Sequence, residues 1–161
     1  MRKFLIAGNW KMNGMFDSIR EVCKIDQHSK ELNGDLALCL PNTIINKAYE
    51  NISNGKLIIG AQNCHHEESG AFTGDVSAEM LKNAGAKVII VGHSERRQNY
   101  FENNEYKFKL LAVISKIKNE FSSIEKSVVR KRIVENSVRP DKRTLKFLEA
   151  SRQSKKVGID E

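Results

Sequence analysis

At 161 residues the chain is long enough to bury one core and too short for several domains. Its 40% hydrophobic and 29% charged residues exclude a disordered or fibrous chain. The odd set Cys23, Cys39 and Cys64, with no CxxC, excludes a disulfide framework or a zinc knuckle.

The formal charge of +7 is unevenly distributed. Residues 1–106 hold 12 Lys and Arg against 13 Asp and Glu, whereas residues 107–161 hold 15 against 7. Nine of the ten glycines precede His93. Two parts built under different constraints are expected: a balanced region over 1–106 and a divergent basic tail over 107–161.

The first apolar run, residues 4–7, is broken by Asn9, Trp10 and Lys11. It is too short for a secretory core or a membrane span, so a cytoplasmic location is expected. That run and those at 36–40, 57–61 and 88–91 are nearly continuous, the pattern of parallel strands covered on both faces.

Between the first two strands, Phe16, Ile19, Val22, Cys23 and Ile25 give a helical stripe over 16–32, closed by Asn33-Gly34. A second helix is predicted over 43–52. A third spans 77–83, with Ser77 as N-cap, Met80 and Leu81 inward and Gly85 as its stop. Alternating strands and helices mean β/α units and a parallel sheet. Residues 62–76 form a long loop, and such loops tend to be functional or to meet a partner.

After Arg97, residues 104–121 read as an amphipathic helix. Leu110, Leu111, Val113, Ile114, Ile117 and Phe121 form the stripe, with Lys107, Lys109, Lys116 and Lys118 solvated. Residues 127–133 suit a helix or a strand, and 142–151 a helix beyond Pro140. No fifth strand followed by a glycine turn is visible.

Asn9 and Lys11 follow the first strand; His93 and Glu95 follow the fourth. In a parallel β/α protein both pairs lie at carboxyl ends of strands, where ligands bind. Lysine there can hold an anion or polarise an oxyanion. Asn9 can fix the lysine or bond a carbonyl, and a neutral histidine can donate to a developing enolate oxygen. Ser94 is read as the cap of the next turn, with Glu95 favoured at its start.

His65-His66-Glu67-Glu68 is not HExxH, and its adjacent side chains diverge, so a surface loop is preferred to a metal site. His28 is read as solvent-exposed. Gly8, Gly60 and Gly92 mark strand ends but belong to no GxGxxG or GxxxxGK[ST] motif. The basic groups Arg130-Lys131-Arg132 and Arg139, Lys142 and Arg143 lack a stacking platform, since Phe147 is the only aromatic residue after Phe121. Nucleic-acid binding is therefore disfavoured.

Four segments carry a closer signal. They are Ala7-Gly8-Asn9-Trp10-Lys11-Met12-Asn13, Gly60-Ala61-Gln62-Asn63, Gly70 to Leu81 (GAFTGDVSAEML), and Val91-Gly92-His93-Ser94-Glu95-Arg96-Arg97. In order and spacing they resemble the triosephosphate isomerase family over about residues 2–102. The resemblance implies an α/β fold: an incomplete TIM (β/α)8 barrel of about four parallel β/α units, plus a mainly helical basic tail.

It also implies interconversion of dihydroxyacetone phosphate and D-glyceraldehyde 3-phosphate through an enediolate, with no cofactor and no metal. Asn9 and Lys11 match the residues that hold substrate, His93 the neutral electrophile, and Glu95 the glutamate beside the lysine. A glutamate base opposing a neutral histidine is the standard worked example for this enzyme and enters here only through the resemblance. Residues 62–76 match the loop that enters a neighbouring subunit, with Thr73 at its tip.

The family's base lies in a Tyr-Glu-Pro-Val-Trp-like motif, and no such segment occurs here; Pro140 follows Arg139. The later phosphate loops are likewise unmatched, and a full barrel takes roughly 250 residues. A truncation with a shifted frame would account for the change in composition. The expected chain is a family fragment inactive alone. The alternatives are a half completed by a second polypeptide or by a homodimer, and a non-enzymatic half-barrel whose tail binds polyanions.

Overall fold

In the computed structural model the described residues are 4–53, 55–117 and 133–134. Strands β1 (Leu5–Asn9), β2 (Asp35–Leu40), β3 (Leu57–Ala61) and β4 (Val88–Ile89) pair in parallel, each with its neighbour in sequence. Helices α1 (Ile19–Ser29), α2 (Asn42–Asn51) and α3 (Ala78–Asn83) connect them. The sheet is half of a barrel, with β4 at one edge. At the other, β5 (Ile133–Val134) pairs in parallel with β1. This two-residue strand, with no glycine turn after it in the sequence, forms from an Ile-Val pair at the end of the segment read as a helix or a strand.

The core lies between sheet and helices. Leu38, Leu40 and Ile59 meet Val22 and Ile25 of α1 and Ile44, Ile45 and Ala48 of α2 in one cluster. β2 is buried along Leu36–Leu40 because it is central, flanked by β1 and β3. Gly60 permits the β3–β4 approach: a Cβ there would lie 2.7 Å from Val88 Cγ1 and 2.8 Å from Cys39 Sγ.

The α1 stripe also carries two buried polar residues. Asp26 accepts from the Gly55 and Leu57 amides at 2.9 and 3.3 Å, and Ser29 Oγ accepts from Lys56 N at 2.6 Å. They satisfy the backbone donors of the turn into β3, which would otherwise be costly to bury. A side chain at Gly55 would collide with Asp26.

Several boundaries differ from expectation. The first helical segment begins as a 3₁₀ turn at Phe16–Ser18 and ends at Ser29. In α3, Ser77 Oγ accepts from Met80 N at 3.3 Å, as expected of a cap, and Leu81 is buried. Met80, however, is 56% exposed, because only one face of this six-residue helix meets the sheet. His28 is half-buried, its ring held 2.7 Å from the Lys24 carbonyl.

Helix α4 (Ser94–Asn99) follows β4, and α5 (Asn104–Lys116) follows it. Leu110, Val113, Ile114 and Ile117 of the expected stripe join the core. Phe121 and Lys118 lie outside the described residues, as do the helix read at 142–151 and most of 127–133. No helix among the described residues is long and apolar enough to cross a membrane.

Candidate active site

Parallel pairing carries the ends of β1, β2 and β3 and the segment after β4 to one edge of the sheet. β1 ends at Asn9, which is buried and accepts from Lys11 N through Oδ1 at 2.9 Å. This bond spends the carbonyl end of the amide and leaves its NH₂ group to donate. Lys11 itself has φ 54°, a left-handed conformation that costs a lysine of order 1–3 kcal/mol. Trp10 N donates to Cys39 O at 3.0 Å, tying the loop to β2.

The Lys11 ammonium reaches Glu95 Oε1 at 2.6 Å, linking positions 84 residues apart. Glu95 lies in the first turn of α4, where exposed backbone N–H groups favour a carboxylate. Its carboxyl is held below the usual range mainly by the hydrogen bond from Lys11. Coulombic attraction to Lys11 and His93 assists, against partial desolvation.

The turn into α4 depends on Gly92, whose φ of 65° suits glycine. His93 follows and is the actual N-cap: its Nδ1 accepts from Glu95 N at 3.2 Å. The expected cap, Ser94, is instead the first helical residue, because the imidazole already occupies the orphan donor. A backbone N–H brings its own proton, so Nδ1 presents a lone pair. A neutral His93 ring then carries its proton on Nε2. The site thus brings together an ammonium, an amide NH₂ and an imidazole Nε2–H, a set of donors suited to an anionic, oxygen-rich ligand.

Thr73 stands apart from this group. It is exposed in a turn closed by Asp75 N donating to Phe72 O at 3.0 Å, with Gly74 at φ 91°. His65 and His66 brace the same loop. Their rings lie 4.4 Å apart, and His65 stacks on Phe72 at 4.2 Å. No cluster that could hold a metal occurs among the described residues.

Two features escaped the sequence. Gln62 Nε2 donates to Lys11 O at 2.8 Å and to Cys39 O at 3.2 Å, a role that neither the apolar run before it nor the Gly60-Ala61-Gln62-Asn63 motif around it specified. Behind His93, Arg96 pairs with buried Glu102 at 2.6 Å and lies over the Tyr100 ring at 4.4 Å. Burial and the Glu102 charge, opposed by Arg96, push the nearby Cys64 thiol up to about 11.

The triosephosphate isomerase family profile matches residues 4–149. The chain belongs to the triosephosphate isomerase family. It is 46% identical over 107 residues to triosephosphate isomerase of Bartonella tribocorum, covering 65% of this chain and 42% of that protein. It is 50% identical over 102 residues to the Afipia carboxidovorans enzyme, covering 62% of this chain and 41% of that one.

A crystal structure of triosephosphate isomerase from Bartonella henselae superposes with a TM-score of 0.66 at 38% identity, covering 70% of this chain and 47% of that one. The chain therefore spans about two fifths of the length of the curated relatives it matches, which leaves the barrel incomplete. The family profile runs past residue 102, the approximate end of the resemblance read from the sequence, and includes β5.

Proposed function

We propose that this chain supplies the substrate-holding and carbonyl-polarising half of a triosephosphate isomerase site, and that its 161 residues alone do not turn over substrate. The carrying observation is the 2.6 Å Lys11–Glu95 pair beside a His93 whose Nδ1 accepts a backbone N–H. In this reading Lys11 and Asn9 hold the triose phosphate and Glu95 holds Lys11. His93 donates from Nε2 to the carbonyl as it becomes an enediolate oxygen. No cofactor is required, because the chemistry is proton transfer between adjacent carbons.

The carbon-bound proton still needs an acceptor, and these residues include no Tyr-Glu-Pro-Val-Trp-like segment. General-base catalysis contributes typically about 10²–10⁴-fold, and water exclusion would be lost as well. The acceptor and phosphate loops would have to come from outside these 161 residues.

We divide the chain into a partial barrel over 1–106 and a basic tail over 107–161, and place it in the cytoplasm. A partner contact through the 62–76 loop, with Thr73 at its tip, is supported by exposed Met12, Met15, Phe16 and Phe72. Sedimentation showing only monomer would remove that contact.

A coupled isomerase assay on purified chain tests the central reading. Turnover is expected at background, unchanged in Lys11→Ala and His93→Ala. Co-expression with a polypeptide bearing the missing half is expected to restore a His93-dependent rate. Robust turnover by the chain alone, abolished by His93→Ala, would overturn the claim of inactivity. No binding of phosphoglycolate by the chain, with or without the second half, would sink the site itself.

A further inference from the structure

We infer that Gln62 is a positioning residue: its side-chain amide locks the left-handed Lys11 backbone to the end of β2 and so aims the lysine ammonium at Glu95. This rests on the reading of Lys11 as the substrate-holding cation and adds the residue that sets its direction.

The geometry is specific. Nε2 of Gln62 lies 2.8 Å from Lys11 O and 3.2 Å from Cys39 O. Both partners are carbonyl oxygens, so the amide's NH₂ end must face them; turned over, its oxygen would oppose two acceptors. Its two N–H groups match the two acceptors. Cys39 O also accepts from Trp10 N at 3.0 Å, so one β2 carbonyl gathers the loop after β1 and the residue after β3.

Lys11 is bound on both sides of its Cα. Its amide donates to Asn9 Oδ1 at 2.9 Å, and its carbonyl accepts from Gln62. With φ at 54°, a lysine holds this conformation only where its surroundings impose it. Asn9 fixes the amide side, and the Gln62 bond opposes relaxation of the carbonyl side towards ordinary φ. That bond thereby holds the origin from which the long Lys11 side chain meets Glu95 at 2.6 Å.

The test is ¹³C NMR titration of the Glu95 carboxyl in the full chain, which needs no turnover and stands or falls apart from the isomerase assay. Gln62→Met keeps the volume and removes the donor; Gln62→Ala removes both. Each is expected to move the Glu95 midpoint up towards the ordinary glutamate range.

Ser29→Ala, which weakens the fold at the remote α1 turn, is expected to leave the midpoint in place. An unmoved midpoint in folded Gln62→Met, or an equal rise in Ser29→Ala, overturns the proposal. Should the Gln62 variants fail to fold, the unsubstituted chain still decides. Its Gln62 side-chain amide protons are expected to exchange slowly, and fast exchange refutes the clamp.

Discussion

Glu95 and Lys11 illustrate how one contact links the site to stability. The hydrogen bond from Lys11 stabilises the ionised Glu95 carboxylate in the folded chain more than in the unfolded one. A depressed folded pKa contributes stability above the unfolded value of about 4.3, and this is lost as pH falls through the folded pKa. Lys11→Met removes the partner. The gap in urea midpoint between the chain and Lys11→Met is thus expected to be steady above about pH 5 and to shrink below about pH 4. Glu95 is 48% exposed, so solvent screening keeps the gap small. A gap that widens on acidification would show that the pair does not hold the carboxylate ionised.

Helices and strands show where the sequence was readable. The runs at 36–40 and 57–61 became strands with almost the expected bounds, since burial on both faces writes itself as continuous apolar sequence. Of α4 only a capped turn at Ser94 and Glu95 was legible, because Ser94–Asn99 is polar throughout and has no apolar stripe; a histidine cap and a glycine turn specify it instead. The α3 stop was legible in Gly85, yet half of its reason was not.

Gly85 has φ 101°, and a Cβ there would strike the Tyr49 ring of α2, a contact no local pattern announces. Gly85→Ala is therefore expected to lower unfolding free energy by about 1–3 kcal/mol, measured by urea denaturation. Adding Tyr49→Ala should recover only the ring's share of the steric cost, because the Cβ of residue 49 would still lie 2.6 Å from the added methyl. A neutral Gly85→Ala would mean that the α3 terminus adjusts freely. Asn9, Lys11, His93 and Glu95 were readable as a group because all lie at or beyond the carboxyl end of an apolar run. Gln62's grip on Lys11 was not, since it spans 51 residues and involves two backbone carbonyls.

Across the molecule, the change in charge near residue 106 falls inside a helix rather than between elements. α5 begins at Asn104, and its Leu110, Val113, Ile114 and Ile117 lie in the same core as α1 and α2. Full burial of such side chains contributes roughly 1.5–3 kcal/mol each, an upper estimate because unfolded chains already bury part of this area. Against a typical total of about 5–15 kcal/mol, losing four of them would consume most of the stability. β5, by contrast, adds two residues of pairing at the β1 edge. A chain ended after 106 is expected to lose its cooperative urea transition. One ended after 117 should keep that transition with a modestly lower midpoint, because it forgoes β5 but retains the α5 stripe. A cooperative transition kept by both shortened chains at one midpoint would show that α5 rests on the core without supporting it. A collapse of 1–117 as severe as that of 1–106 would instead put the weight on the β1 edge, where a half-barrel with no closing strand is left unpaired.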